Sequence, residues 1–197
     1  MVIRARTQAR LLDAADEMLF THGAVATPVD AILERAGVSP ATLYRAYGSK
    51  EGLIAAALDR RQRTWTETWE AAVERAPDDR ARLLAVFDAL DRFRKEPGAA
   101  RWCAFLGTAA EFAEPSPVLA AAIQRDTIDL RTRLTTLAEP LAGRDASALA
   151  EALLLIVSGE LAMRLRERSS ADSRTARTVA EAAIDRWSRG RTGTRVH

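Results

Sequence analysis

The sequence predicts an all-α protein, and three observations point there. Ala, Leu, Arg and Glu, among the better helix formers, dominate the chain. No long segment alternates apolar and polar residues with the period of two that a half-buried strand requires. Apolar residues recur instead at three- and four-residue intervals, in runs that stop at glycine, proline or Ser-Pro pairs.

Each predicted helix has its own signals. The first starts near Arg6, stripes Leu12, Ala15 and Leu19 along one side and stops at Gly23. Thr27-Pro28 gives the second an N-cap followed by proline at the first helical position. It buries Val29, Ile32 and Leu33 and ends at the Gly37 turn. Ser39-Pro40 repeats the device for a short third helix that Gly48 ends. Ser49 caps a long fourth, striped by Ile54, Leu58, Trp65, Trp69 and Val73 and closed by Pro77. Asp78 or Asp79 caps a fifth, carrying Leu83, Phe87, Leu90 and Phe93. After a Pro97-Gly98 break the sixth carries Trp102, Phe105, Leu106, Ala109 and Phe112. Ser116-Pro117 opens the seventh, with Leu119, Ile123, Leu130, Leu134 and Leu137. The eighth, about 146–168, is apolar all round through Leu153 to Val157, so it should be buried on more than one face. A ninth, about 173–188, sets Val179, Ala183 and Trp187 on one side. Arg164, Arg166 and Arg168 are expected to complement the dipole at the end of the eighth helix.

Composition narrows the function. At 197 residues the chain can bury a substantial core as one large or two small domains. A net charge of +2 does not by itself imply nucleic acid, but its distribution is uneven. Arg4, Arg6 and Arg10 stand in an N-terminal run without an acid, which could serve as a phosphate-binding arm. The basic end, with Arg186, Arg189, Arg191 and Arg195, reads as a solvated tail. Cys103 is the single cysteine, so no internal disulfide forms and a reducing cytoplasm is expected. No signal peptide is visible, and the most apolar run, Ala152 to Met163, is about half of a membrane span. The two histidines, His22 and His197, lack catalytic or metal-binding partners, so neither an enzyme nor a metal or cofactor site is expected. His22 suits the end of the first helix, and Asp13, Asp16 and Glu17 should pair with arginines or face away from any polyanion.

The third helix raises a question, because helices so short hardly stabilise themselves. Two short helices joined at Gly37-Val38 form a helix-turn-helix, whose second helix enters the DNA major groove. The groove is about 12 Å wide, so a short helix presented end-on suffices. Caps at Ser39 and Gly48, and packing of Val38 and Leu43, would supply the missing stability. Thr27, Ser49 and Lys50 stand at helix N-termini, where phosphate is favoured. Tyr44 and Tyr47 can reach backbone oxygens, and Arg45 can take phosphate or a guanine edge. Pro40 and Ala41 can press on a thymine methyl, and Thr42 can do either.

Residues 10–58 resemble the N-terminal domain of the tetracycline-repressor (TetR) family. Leu12, Ala14, Ala15, Leu19, Phe20, Gly23, Thr27, Ala36, Gly37, Val38, Ser39, Thr42, Leu43, Tyr44, Tyr47, Ser49, Lys50, Glu51 and Leu53 carry the likeness. The resemblance implies a homodimeric transcription regulator, usually a repressor, with Thr27, Tyr44, Tyr47 and Lys50 near phosphates and Pro40 to Arg45 facing the bases. Tyr47 stands where the family more often has Phe, and Ala46 where it often has a polar side chain or His. The division expected is a helix-turn-helix DNA-binding domain at 1–49, a helical effector-binding and dimerisation domain at 50–190, and a basic tail at 191–197.

The resemblance further implies that the eighth and ninth helices pair with their copies. The candidates for that interface are Leu153, Ile156, Val157, Gly159, Val179 and Trp187. The fourth to seventh helices would enclose a largely apolar small-molecule effector, with Trp65, Phe87, Trp102, Phe105 and Phe112 as candidate lining. Trp65 and Trp69 are the candidates for coupling effector to DNA affinity. Cys103 is expected to be buried and inert.

Overall fold

The computed structural model describes residues 2–95, 103–167 and 172–192, with side-chain surroundings for 5–95, 103–167 and 172–187. Among the described residues the elements are nine α-helices and one short 3-10 turn. They are α1 (Val2–His22), α2 (Val29–Ala36), α3 (Pro40–Tyr47), α4 (Lys50–Glu74), α5 (Asp79–Phe93), α6 (Ala104–Glu111), α7 (Pro117–Ala142), α8 (Ala146–Glu167) and α9 (Arg174–Thr192), with the 3-10 turn at Gly143–Asp145. The Pro97-Gly98 break, Trp102, Arg168 and Arg195 lie outside the described residues.

Most of the punctuation acts as its chemistry predicts. Gly23, Gly37 and Gly48 all take positive φ at helix ends. At Gly37 (φ 61°, ψ 46°) the chain closes α2 with bonds from the Gly37 amide to the Glu34 carbonyl and from the Val38 amide to the Leu33 carbonyl. Asp78 accepts from the Ala81 amide at 2.7 Å, and Ser49 Oγ accepts from Gly52 at 3.0 Å.

One expected cap is displaced. Pro28, not Thr27, occupies the N-cap position of α2. Thr27 is buried, and its hydroxyl donates to the Gly23 carbonyl at 2.7 Å and the Met18 carbonyl at 3.3 Å. A threonine before proline can cap a helix or close the preceding turn, and here the turn takes the hydroxyl.

Packing groups the chain into two compact units, 1–63 with 97–126, and 64–96 with 127–197. The expected boundary at 49/50 marked a change of role; the packing divides inside α4 and α7 instead, because α6 and the start of α7 share a core with the helix-turn-helix. In the first unit Leu11, Leu19, Ile32, Leu43, Leu53, Ile54 and Leu58 are the centre, joined by Phe105 and Leu119. In the second, Trp69, Phe87, Leu134, Leu149, Leu153 and Ile184 are the centre.

The second unit also holds a buried charge. Arg164, expected to complement the α8 dipole, is only 7% exposed. It bonds Glu160 at 2.7 Å, Ser173 Oγ at 2.6 Å and Asp91 at 3.3 Å. Asp91 also accepts from the Ser173 hydroxyl at 2.8 Å and its amide at 3.1 Å. This network joins α5 and α8 to the start of α9.

Candidate nucleic-acid interface

The helix-turn-helix is held from its back. Leu43, fully buried, anchors α3, and Val38 and Tyr47 pack on the same core. With Leu43 inward, Ala41 and Arg45 fall on the opposite face at helical spacing and Tyr44 beside them, and these three and Pro40 are all exposed. Tyr44 is 53% exposed. Among the described residues the Arg45 guanidinium makes no ion pair or hydrogen bond, whereas Arg35 is paired with Glu17 at 2.8 Å and Arg60 is held by Asp13 and Asp16. Thr42 is half-buried, and its hydroxyl meets that of Ser39 at 3.0 Å. Ser39 therefore stands at the α3 N-cap without bonding a backbone amide.

Other sequence candidates are differently placed. Thr27, engaged as described, points no hydroxyl at solvent. Tyr47 is half-buried, and burial raises its phenol above the ordinary value. Ser49 is exposed but spends its oxygen on the Gly52 amide. Lys50 Nζ donates to the Val25 carbonyl at 3.2 Å. Burial lowers its ammonium below the usual lysine value, against the opposing charge of Glu111.

Three residues that sequence reasoning missed set the geometry. Arg10 donates to the Ala36 carbonyl and, at 3.0 Å, to the Gly37 carbonyl, so it caps α2 rather than forming a free arm. Glu111, at the end of α6, accepts from the Val25 amide at 2.7 Å. Gly52 lets the first turn of α4 meet the end of α3: a Cβ there would stand 2.0 Å from the Tyr47 carbonyl oxygen. A glycine inside a helix costs about 1 kcal/mol, and that cost was the available signal. Gly52→Ala should therefore destabilise the first unit by more than its helix propensity would gain. The check is denaturant unfolding, with a lower midpoint expected. An unchanged or higher midpoint would mean the backbones part freely.

The acidic face of α1 is neutralised as expected, Asp13 by Arg60 at 2.7 Å and Asp16 by Arg60 and Arg61. Burial nonetheless raises the Asp16 carboxyl above the ordinary aspartate value. His22 Nδ1 lies 3.2 Å from the Met18 carbonyl.

The effector candidates fall in both units. Trp65 and Phe87 belong to the second core, Phe105 and Phe112 to the first. The Trp65 ring lies 5.6 Å from that of Trp69 and 5.7 Å from that of Phe93. The Trp69 indole N–H is buried without an acceptor.

Cys103 N-caps α6, its sulfur accepting from the Leu106 amide at 3.5 Å. Burial, with the Asp126 charge adding, pushes its thiol up to about 11. At pH 7.5 well under a thousandth is thiolate, so iodoacetamide should label the native chain far more slowly than the unfolded one, with the rate climbing toward pH 11. Equal rates at pH 7.5 would contradict this.

The interface candidates divide between two sides of α8. Leu153 and Val157, expected at a dimer contact, are 0% and 1% exposed in the chain's own core. They cannot offer surface, because they share the inward face with Leu149 and Ala150. Away from them Ala152, Leu155, Gly159 and Met163 follow one stripe, with Leu155 72% exposed, while Ile156 packs partly against the core. On α9, Val179 is 51% exposed, while Trp187 packs partly into the core. By length and composition one segment within Pro117–Glu167 could cross a membrane, and a third of it is buried inside the chain.

Residues 11–57 match the family model of bacterial regulatory proteins, tetR family. Over 52 residues the chain is 44% identical to the uncharacterized HTH-type transcriptional regulator YvkB of Bacillus subtilis (strain 168). That match spans 26% of this chain and only 28% of the relative. The fold is similar to that of SCO4454, a TetR-family transcriptional regulator from Streptomyces coelicolor, with a TM-score of 0.80 and 28% identity over 93% of this chain and 97% of that one. The sav143 protein of Streptomyces avermitilis MA-4680 matches with a TM-score of 0.75 and 25% identity, over 90% and 97% of the two chains. Residues 11–57 thus match the N-terminal domain of the tetR family, and over most of its length the chain has the fold of solved TetR-family transcriptional regulators.

Proposed function

We propose that the chain is a cytoplasmic, homodimeric repressor that binds a near-palindromic operator and is released by a small, largely apolar molecule. The observation that carries the DNA reading is the outward face of α3. Tyr44 and Arg45 are exposed there on a helix whose other side is locked by Leu43. An exposed guanidinium without a partner is free to bond a guanine edge or a phosphate. Tyr47, Ser49 and Lys50 flank it and serve the backbone, where contacts fix register rather than sequence.

The dimer reading rests on the exposed stripe of α8 and on Val179 of α9. An apolar stripe rich in small residues suits a second copy of itself, since a two-fold interface brings the same patch from both subunits. The same stripe makes α8 apolar on both sides without any membrane. The effector reading rests on the family likeness and on the aromatic cluster of Trp65, Trp69 and Phe93, where the buried Trp69 N–H offers a donor. The effector must favour the state that does not bind DNA, and a hundredfold preference corresponds to about 2.7 kcal/mol of coupling.

The test is selection from a random duplex pool with the full chain, followed by gel shift. A near-palindrome with half-sites about 34 Å apart, or a multiple of that, is expected. No enrichment, and no retardation of any duplex at low salt, would refute the proposal.

A further inference from the structure

We infer that Glu111 and Glu51 are positioning residues through which the 112–116 connection, between α6 and α7, sets the pose of the reading head. The inference rests on the DNA-binding role proposed above. Glu111 is the last residue of α6, where the dipole disfavours a carboxylate. A compensating partner is therefore expected, and it lies 86 residues earlier in the chain: the Val25 amide, 2.7 Å from Oε2.

Val25 is gripped from two sides. Its amide donates to Glu111, and its carbonyl accepts from Lys50 Nζ at 3.2 Å. One residue of the α1–α2 turn thus joins the end of α6 to the start of α4. The turn is stiff enough to transmit that hold. Gly23 at its start has φ 100°, and a Cβ there would touch the Glu111 carboxylate at 3.4 Å. Thr27 at its end donates both hydroxyl and amide to the Gly23 carbonyl. Helix α2 begins two residues later.

The other end of the connection is fastened the same way. The Ser116 amide donates to Glu51 Oε2 at 2.6 Å. Glu51 lies in the first turn of α4, next to Lys50 and one residue before Gly52, where α4 meets α3. Both bonds join a carboxylate to a backbone amide, the charge-assisted kind that fixes direction as well as distance. A displacement of the 112–116 connection is therefore delivered to the start of α2 and to the Lys50 ammonium together.

Removing either acid also removes negative charge near the proposed DNA face, which by itself raises affinity. The comparison is therefore between two neutral variants. Glu111→Gln keeps an oxygen that can accept from Val25, and Glu111→Ala does not. Both are titrated, as full chains, against a duplex selected by the parent, and amide exchange is followed at Val25 and across α2. The expected result is operator affinity about fivefold weaker in Glu111→Ala than in Glu111→Gln, with faster exchange at Val25 and through Val29–Ala36. The pair Glu51→Gln and Glu51→Ala should show the same ordering, read at the Ser116 amide, and decides the matter if Glu111→Ala does not fold. Equal affinity within both pairs would overturn the inference while leaving the DNA-binding role intact, whether or not exchange changes. Failure of the parent to bind any duplex would remove the role itself and the inference with it.

Discussion

Arg164→Ala should destabilise the second unit by about 3–5 kcal/mol, the range for removing one partner of a buried, hydrogen-bonded charge set. The arginine is 7% exposed and bonds Glu160, Asp91 and Ser173 at once. Truncation leaves the half-buried Asp91 carboxylate with the Ser173 hydroxyl and amide and a 3.5 Å contact to Arg94. It also opens a void between α5, α8 and the start of α9. Lysine should recover part of the loss, because it restores the charge without the planar fork that reaches several acceptors. Denaturant unfolding followed by tryptophan fluorescence measures it, since Trp65, Trp69 and Trp187 all belong to this unit's core. A loss under about 1 kcal/mol would mean water enters the network and replaces the guanidinium.

The second large effect concerns assembly. Leu155→Asp should leave the single chain folded, because the side chain is 72% exposed and touches little of its own core. In the proposed dimer the same change buries two unpaired carboxylates, which the interface cannot tolerate. Sedimentation should then show the mass of one chain. Operator affinity should fall by about a hundredfold or more, as the second reading head loses its tether. Leu153→Asp is the contrasting change: at 0% exposure it should unfold the unit rather than divide the dimer. A Leu155→Asp variant that sediments as a dimer would move the interface elsewhere.

How much of this was legible follows from the range of each interaction. Caps and stops act within four residues, so Gly23, Gly37, Gly48, Ser49 and Asp78 could be read directly. The inward faces of α1 to α5 were legible for the same reason, since periodicity is local. Arg10, Glu111, Glu51 and Arg164 act across 26, 86, 65 and 73 residues respectively, and no local pattern encodes such pairs. Each left at most an oddity: an acid at a helix C-terminus, a cation at the end of an apolar helix. Thr27 went astray because one hydroxyl could either accept from an amide of α2 or donate to a carbonyl of the preceding turn, and the buried turn won. In α8 the run Leu153 to Val157 foretold burial on more than one face; within the chain Leu153 and Val157 are buried but Leu155 is 72% exposed, and the run gave no sign of which residues face the chain's own core. The grouping of α6 with the helix-turn-helix had no signal in composition, because Phe105 and Leu119 look like core residues in either unit.

The most direct test lies on α3. Anisotropy titrations of the full chain, parent and Arg45→Ala, against the selected duplex and one with altered half-sites should be run across a salt series. If Tyr44 and Arg45 face the groove, Arg45→Ala should weaken the selected duplex by about 1–3 kcal/mol and narrow its advantage over the altered one. Lys50→Ala should weaken both alike and lower the salt slope by about one. Parent-like affinity, selectivity and salt slope in both variants would contradict the assignment of this face to DNA.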